Sequence, residues 1–274
     1  MIRYYIHCYY QYKVFNPDTK SSIKHHEIEI MTCTCSYNHE RLYYRIMDEH
    51  TNISDNELLE LPLFPLNNIV LFPGMQLPLH IFEERYKTMI NHCIEHNTPF
   101  GILLIKEGQE VGEPAEPFTI GTSTRITNSQ TLQEGRLNIS TTGERRFELM
   151  RILEKTPYMT GLVRYLDESS DPVPQNIIDS THQEFRTFLE HQATIAGGWN
   201  SNVNLPDDGH ELCLRVISAI TVSIELPGEL RQKLLETDSY SDRLQKLIPI
   251  LQRGNEIMSE QSRKSNPFQG HRLN

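Results

Sequence analysis

Four groups of residues in this chain have types and spacing that chemistry could use. His25-His26, Cys33-x-Cys35 and His39 are metal-ligand types within one short stretch. Zinc sites space their cysteines as C-x2–4-C so that two thiolates can reach one tetrahedral ion, and C-x-C is off that pattern. Cys93, flanked by His92 and His96, and Cys213 are the cysteines a Cys–His nucleophile would need. On a helix, residue i+1 points elsewhere, and both cysteines fall on apolar faces where a free thiol behaves as a small hydrophobe. Glu83 and Glu84 could act as paired carboxylates, but adjacent helical residues face different directions and cannot bracket one substrate. Arg145-Arg146 follows the Gly143 turn signal and is a candidate contact for an anion or a peptide carboxylate. Along a strand the two arginines point to opposite faces, so one of them is expected in a structural ion pair. No catalytic residue, metal or cofactor is expected from these groups.

The elements that would carry these residues follow from composition and pattern. The 274 residues are 38% apolar and 23% charged, far from a disordered composition. Net charge is −10, from 26 basic and 36 acidic residues, so the excess of basic charge expected of a phosphate-backbone binder is missing. No window approaches the ~18 consecutive apolar residues of a membrane span. The first residues show neither an apolar core nor a small-residue cleavage site of a secretory signal. Five cysteines are too few and too uneven for a disulfide scaffold. A cytoplasmic, reducing-compartment protein without a membrane partner is expected.

Residues 1–46 differ from the rest. They hold 8 of the 12 tyrosines and carry +2 (6 basic minus 4 acidic), leaving −12 for the remainder. Met47 and the polar run after it read as a natural start. Residues 1–57 are therefore expected to be an unstructured or upstream extension, and Ser259–Asn274 a flexible tail. Between them, residues 58–167 read mainly as strands and 174–258 mainly as helices, with the proline-bearing linker Asp167–Pro174 between. Strands followed by a run of helices indicate α+β.

Leu61–Leu66 and Ile69–Gly74 are apolar runs broken by proline, so Pro62, Pro65, Pro73 and Pro78 should sit at edges, bends or bulges. Ile81–Asn97 has helical period, with Phe82, Tyr86, Met89, Ile90, Cys93 and Ile94 on one face. Phe100–Ile105, Thr119–Thr127, Arg136–Thr141, Arg145–Leu153 and Tyr158–Leu166 read as strands, with Gly143 at a turn. Five or six short strands and one covering helix suggest a twisted sheet rolled into a partly closed barrel. Helices are predicted over Asn176–Ile195, whose apolar stripe includes Ile195, over Leu212–Ile224, and over Glu229–Leu235 with Pro227 in its first turn. Ser239-x-x-Asp242 resembles a capping box opening a last helix, in which Pro249 should cause a kink.

In this order, LPLFPL (61–66), LFPG (71–74), LPLHIFEERY (77–86), PFGILLI (99–105), IGTSTRI (120–126), GERRF (143–147), PY (157–158) and LPGELRQKLLETDSYSDRLQKL (226–247) resemble the LON substrate-binding domain. This is the N-terminal domain of ATP-dependent Lon proteases, and it also occurs as a free-standing protein. The resemblance covers about residues 58–258. It implies a PUA-like β-rich part followed by a helical bundle, and binding of unfolded or degron-bearing polypeptides. No G-x-x-x-x-G-K-[ST] phosphate loop occurs, since Gly108 and Gly112 lack a following Lys-Ser/Thr, and the family's Ser–Lys dyad belongs to another module. A non-catalytic adaptor or quality-control factor is therefore expected, with a separate ATP-dependent protease as a candidate partner.

Strand addition or apolar contact at an open sheet edge is the expected binding mode, with Leu63, Phe64, Leu71, Phe72, Leu77 and Leu79 as candidates. A seam between the β and α halves is a second place for a groove. The alternative is a PUA-like RNA-binding module using Arg125, Arg136, Arg145 and Arg146, against which the acidic charge counts.

Overall fold

The computed structural model describes residues 58–108, 115–169, 171–195 and 203–265, with side chains up to residue 260. The expected extension 1–57, with its His25–His39 cluster, and residues 266–274 of the expected tail lie outside the described residues.

Strands β1 (Leu58–Leu66), β2 (Gln76–Ile81), β3 (Phe100–Glu107), β4 (Glu116–Pro117), β5 (Ile120–Thr131), β6 (Leu137–Glu154) and β7 (Met159–Tyr165) form one sheet system, with helix α1 (Glu84–His96) between β2 and β3. The order β1-β7-β6-β5-β3 returns to β1 through a parallel β1–β3 pairing, so the sheet closes on itself. Closure leaves few free edges. The two-residue β4 hangs on β3, and among the described residues β2 pairs only with β6.

The barrel interior holds Leu61, Leu63, Leu103, Phe147, Leu149, Met159 and Val163. Phe147 is the largest of these, and glycines make room for it. A Cβ on Gly101 or Gly121 would come within 2.7 or 2.8 Å of its Cζ atom. Outside the barrel, Tyr86, Met89, Ile90 and Cys93 of α1 pack onto Phe64, Leu79, Ile81, Phe100 and Ile139. The predicted face of this helix is only partly correct. β2 runs to Ile81 and the helix begins at Glu84, so Phe82 falls in the connection and is 40% exposed. Ile94, one position past Cys93, turns off the buried face and is also 40% exposed.

The proline-broken run at 69–74 forms no strand: Ile69, Val70, Leu71 and Phe72 are buried in an irregular crossing. One further expectation fails, because Gly143 does not end a strand and β6 runs unbroken through 18 residues. A Cβ at Gly143 would lie 2.5 Å from the Phe72 carbonyl oxygen. Its carbonyl accepts from Gly74 N and its N–H donates to Met75 O, each at 2.9 Å. The glycine thus admits the crossing against mid-strand, and Thr122 Oγ1 donates to the buried Leu71 carbonyl at 2.6 Å. Among the described residues the strands number seven, two of them long.

Four helices follow: α2 (Gln175–Ile195), α3 (Gly209–Ser223), α4 (Gly228–Leu235) and α5 (Tyr240–Ser265). Their core joins Ile177, Phe185 and Phe188 to Leu212, Val216 and Ile217, to Leu234 and Leu235, and to Leu244, Leu247 and Leu251. Val70, Phe72 and Leu104 from the β half complete it. Asp208 caps α3 by accepting from Glu211 N at 2.8 Å, and Ser239 caps α5 by accepting from Asp242 N at 3.4 Å. Pro227 is the residue before α4 instead of part of its first turn, and Ile195, the last residue of α2, is 53% exposed. Pro249 lies inside α5, which continues to Ser265.

Candidate polypeptide-binding surface

β1 changes partner along its length: Leu58–Leu63 pairs with β7 and Leu63–Leu66 with β3. Pro62 and Pro65 each fall where only one flank is paired, so neither missing N–H breaks the ladder. The strand is nonetheless a seam of the closed barrel, and Leu63 and Phe64 are buried. Leu71 and Phe72 are buried in the crossing, and Leu79 against α1. These five do not form an exposed apolar edge with Leu77, which is half-buried.

The open flank belongs to β2. Its antiparallel register with β6 places Leu77 opposite Thr141 and Pro78 opposite Ser140, and no strand pairs on its other side among the described residues. The Leu77 carbonyl faces β6, accepting from Thr141 Oγ1 at 3.1 Å. Strand alternation then turns the backbone of Gln76, Pro78 and His80 outward. Pro78 supplies only a carbonyl there, while Gln76 and His80 supply an N–H and a carbonyl each. All three are exposed.

Arg145 and Arg146 separate as strand geometry requires. Arg145 is exposed, lies over the Tyr165 ring at 4.6 Å and approaches Asp167 at 3.4 Å. Arg146 is fully buried. Its Nε donates to Glu168 at 2.6 Å, and its Nη1 donates to the Leu235 carbonyl at 2.8 Å and to Asp238 at 3.1 Å. Arg243, equally buried, donates to the Leu234 carbonyl at 3.1 Å and to the other oxygen of Glu168 at 3.4 Å. Two guanidiniums thus cap the C-terminal carbonyls of α4, where the helix dipole favours cations. The doubled arginine signalled Arg146, but nothing in the pattern singled out Arg243 or Glu168.

The remaining candidates carry no reactive arrangement. Burial pushes the Cys93 thiol up to about 11 and the Cys213 thiol up to about 12, so both stay protonated at neutral pH and are poor nucleophiles. Glu83 pairs with Arg85 at 3.0 Å and Glu84 with Lys87 at 2.6 Å. Among the described residues, no group of three or more His, Cys, Asp or Glu is placed to hold a metal. Nor is any described helix long and apolar enough to cross a membrane. The four arginines of the RNA reading are each matched by a carboxylate: Arg125 by Glu144, Arg136 by Glu134, Arg145 by Asp167, and Arg146 by Glu168 and Asp238.

Residues 60–253 match the family model described as the ATP-dependent protease La (LON) substrate-binding domain. The chain belongs to this family. It is 23% identical over 221 residues to the Lon protease of Buchnera aphidicola subsp. Baizongia pistaciae, covering 78% of this chain and 27% of that protein. With the Lon protease of Escherichia coli (strain K12) it is 22% identical over 221 residues, with the same coverage, 78% and 27%. The chain therefore spans about a quarter of the length of these Lon proteases. The crystal structure of a Lon N-terminal domain protein from Xanthomonas campestris superposes with a TM-score of 0.53 at 25% identity, covering 70% of this chain and 98% of that one. The N-terminal domain of Mycobacterium avium complex Lon protease shares the fold, with a TM-score of 0.53 at 17% identity over 71% of this chain and 98% of that one. The matched region of this LON domain chain is the non-catalytic, substrate-binding part, of PUA-like α+β fold, and the homology supports a general role in polypeptide recognition.

Proposed function

We propose that this LON domain protein binds unfolded or degron-bearing polypeptides by adding a strand to β2, as an adaptor or quality-control factor in the cytoplasm. The observation carrying the reading is the one-sided pairing of β2, next to a barrel whose other long strands are engaged. An incoming strand meets two N–H groups and three carbonyls there, from Gln76, Pro78 and His80. Main-chain bonds of this kind give affinity without demanding one sequence, which suits a binder of varied unfolded chains. Half-buried Leu77 and exposed Phe82, whose ring lies 6.1 Å from that of His80, add apolar surface beside the edge. Handing the captured chain to a separate ATP-dependent protease is part of the same proposal. RNA binding is the weaker reading, because its four arginines are all opposed by carboxylates.

The test is titration of the full chain with a fluorescent, permanently unfolded protein, a folded control and a short RNA, at low and moderate salt. Selective and salt-tolerant binding of the unfolded protein is expected. His80→Pro deletes one outward N–H without touching the core and should weaken binding about fivefold, the worth of one net hydrogen bond. Salt-sensitive binding of RNA in preference to the unfolded protein would overturn the reading.

A further inference from the structure

A groove of about 590 Å3 lies between α4 and α5, within the ~300–1,000 Å3 typical of ligand sites. Leu230, Leu234, Pro249 and Ile250 line it with apolar surface, and Lys233 and Lys246 stand at it from the two helices. From the groove and its charge we infer a second docking site, for a short apolar peptide segment bearing carboxylates. The inference rests on the polypeptide-binding reading and adds to it a place and a charge preference.

The two lysines supply the charge argument. The chain as a whole carries −10, and each arginine of the Arg125–Arg146 set has a carboxylate within reach. Lys233 and Lys246 are exposed and form no ion pair among the described residues. Lys246 Nζ donates to Thr237 Oγ1 at 2.8 Å, which fixes its ammonium beside the groove and leaves two N–H bonds to offer. Glu236 also lines the groove, but its carboxylate accepts from Gln232 Nε2 at 2.9 Å and forms no ion pair with either lysine, so the lining keeps a net charge of +1 (two lysines against one glutamate). Positive charge over an apolar floor concentrates the field and favours a carboxylate-bearing occupant over a basic one.

The experiment uses the full chain and two fluorescein-labelled peptides. Both have the same leucine and phenylalanine positions, and one carries glutamates where the other carries lysines. Fluorescence anisotropy should show the acidic peptide binding at least tenfold more tightly. The double variant K233E/K246E should lose that preference and bind the basic peptide better than the original does. Both lysines are exposed, so the variant should melt within a few degrees of the parent, which a thermal scan checks. Equal binding of the two peptides, or no response to K233E/K246E, would overturn the inference. Titration with the unfolded protein separates the two levels: if it still binds while the acidic peptide does not, only the groove falls, and if neither binds, the recognition reading falls with it.

Discussion

Leu61-Pro62-Leu63 and Leu77-Pro78-Leu79 are the same tripeptide on two strands, yet they occupy opposite situations. In β1 the strand closes the barrel, with β7 on one stretch and β3 on the next, and Leu63 is sealed inside. In β2 the strand lies against β6 alone, with Leu79 under α1, Leu77 half-buried and Pro78 directed away from the ladder. Proline marks a place where one flank can do without a hydrogen bond; it does not say whether that flank faces water or the next turn of a barrel. Long-range pairing decides that, and local sequence does not carry it.

The sharpest way to break the comparison is truncation at equivalent positions. Leu61→Ala should cost about 3–5 kcal/mol, since it is packed in the barrel interior, whereas Leu77→Ala should cost below about 1 kcal/mol. Urea unfolding checks both, and similar values would mean that β2 is covered as fully as β1. Next in size is Glu168→Ala, which leaves Arg146 and Arg243 buried without their shared carboxylate and should cost about 3 kcal/mol. A loss below about 1 kcal/mol would mean that water reaches the pair. His80→Pro sharpens the contrast from the other side: stability by thermal scan should change by less than about 1 kcal/mol, because proline is tolerated where an N–H faces outward. The smallest effect is a pH slope. The folded thiols of Cys93 and Cys213 hold their protons up to about 11 and 12, against an ordinary value of 9.0. Above pH 9 the unfolded chain releases these protons and the folded chain does not, so stability is fully present below pH 9 and declines above it. Cys213→Ala should flatten the decline between pH 9 and 11 in urea titrations at stepped pH.

The α+β class, the covering helix and the helical second half were legible because apolar periodicity reports which face of an element is buried. The misreadings have a common physical source. Gly143 was legible as a glycine but not as the point where another segment crosses mid-strand, and Ile69–Phe72 was legible as a proline-broken apolar run, but which strand it crosses was not. Phe82 was placed on a helix that starts two residues later. The site was less legible than the fold. Sequence pointed to leucines and phenylalanines that the core absorbs, while the accessible features, the outward backbone of β2 and the Lys233–Lys246 groove, depend on what does not pair. Arg146 stood out beside Arg145, but its partner Arg243 looked like an ordinary polar position of α5.

That pairing has a consequence for how the chain is made. Arg146 completes its contacts only with the Leu235 carbonyl and Asp238, 89 and 92 residues further along the chain. During synthesis at ~5–20 residues per second, Arg146 emerges roughly 5–18 s before the helix end that it caps. For that interval the nascent barrel presents a guanidinium and an uncovered apolar wall at Val70, Phe72 and Leu104, the surface the helices later occupy. For several seconds of every synthesis the protein is therefore itself a partly folded chain with apolar surface still uncovered.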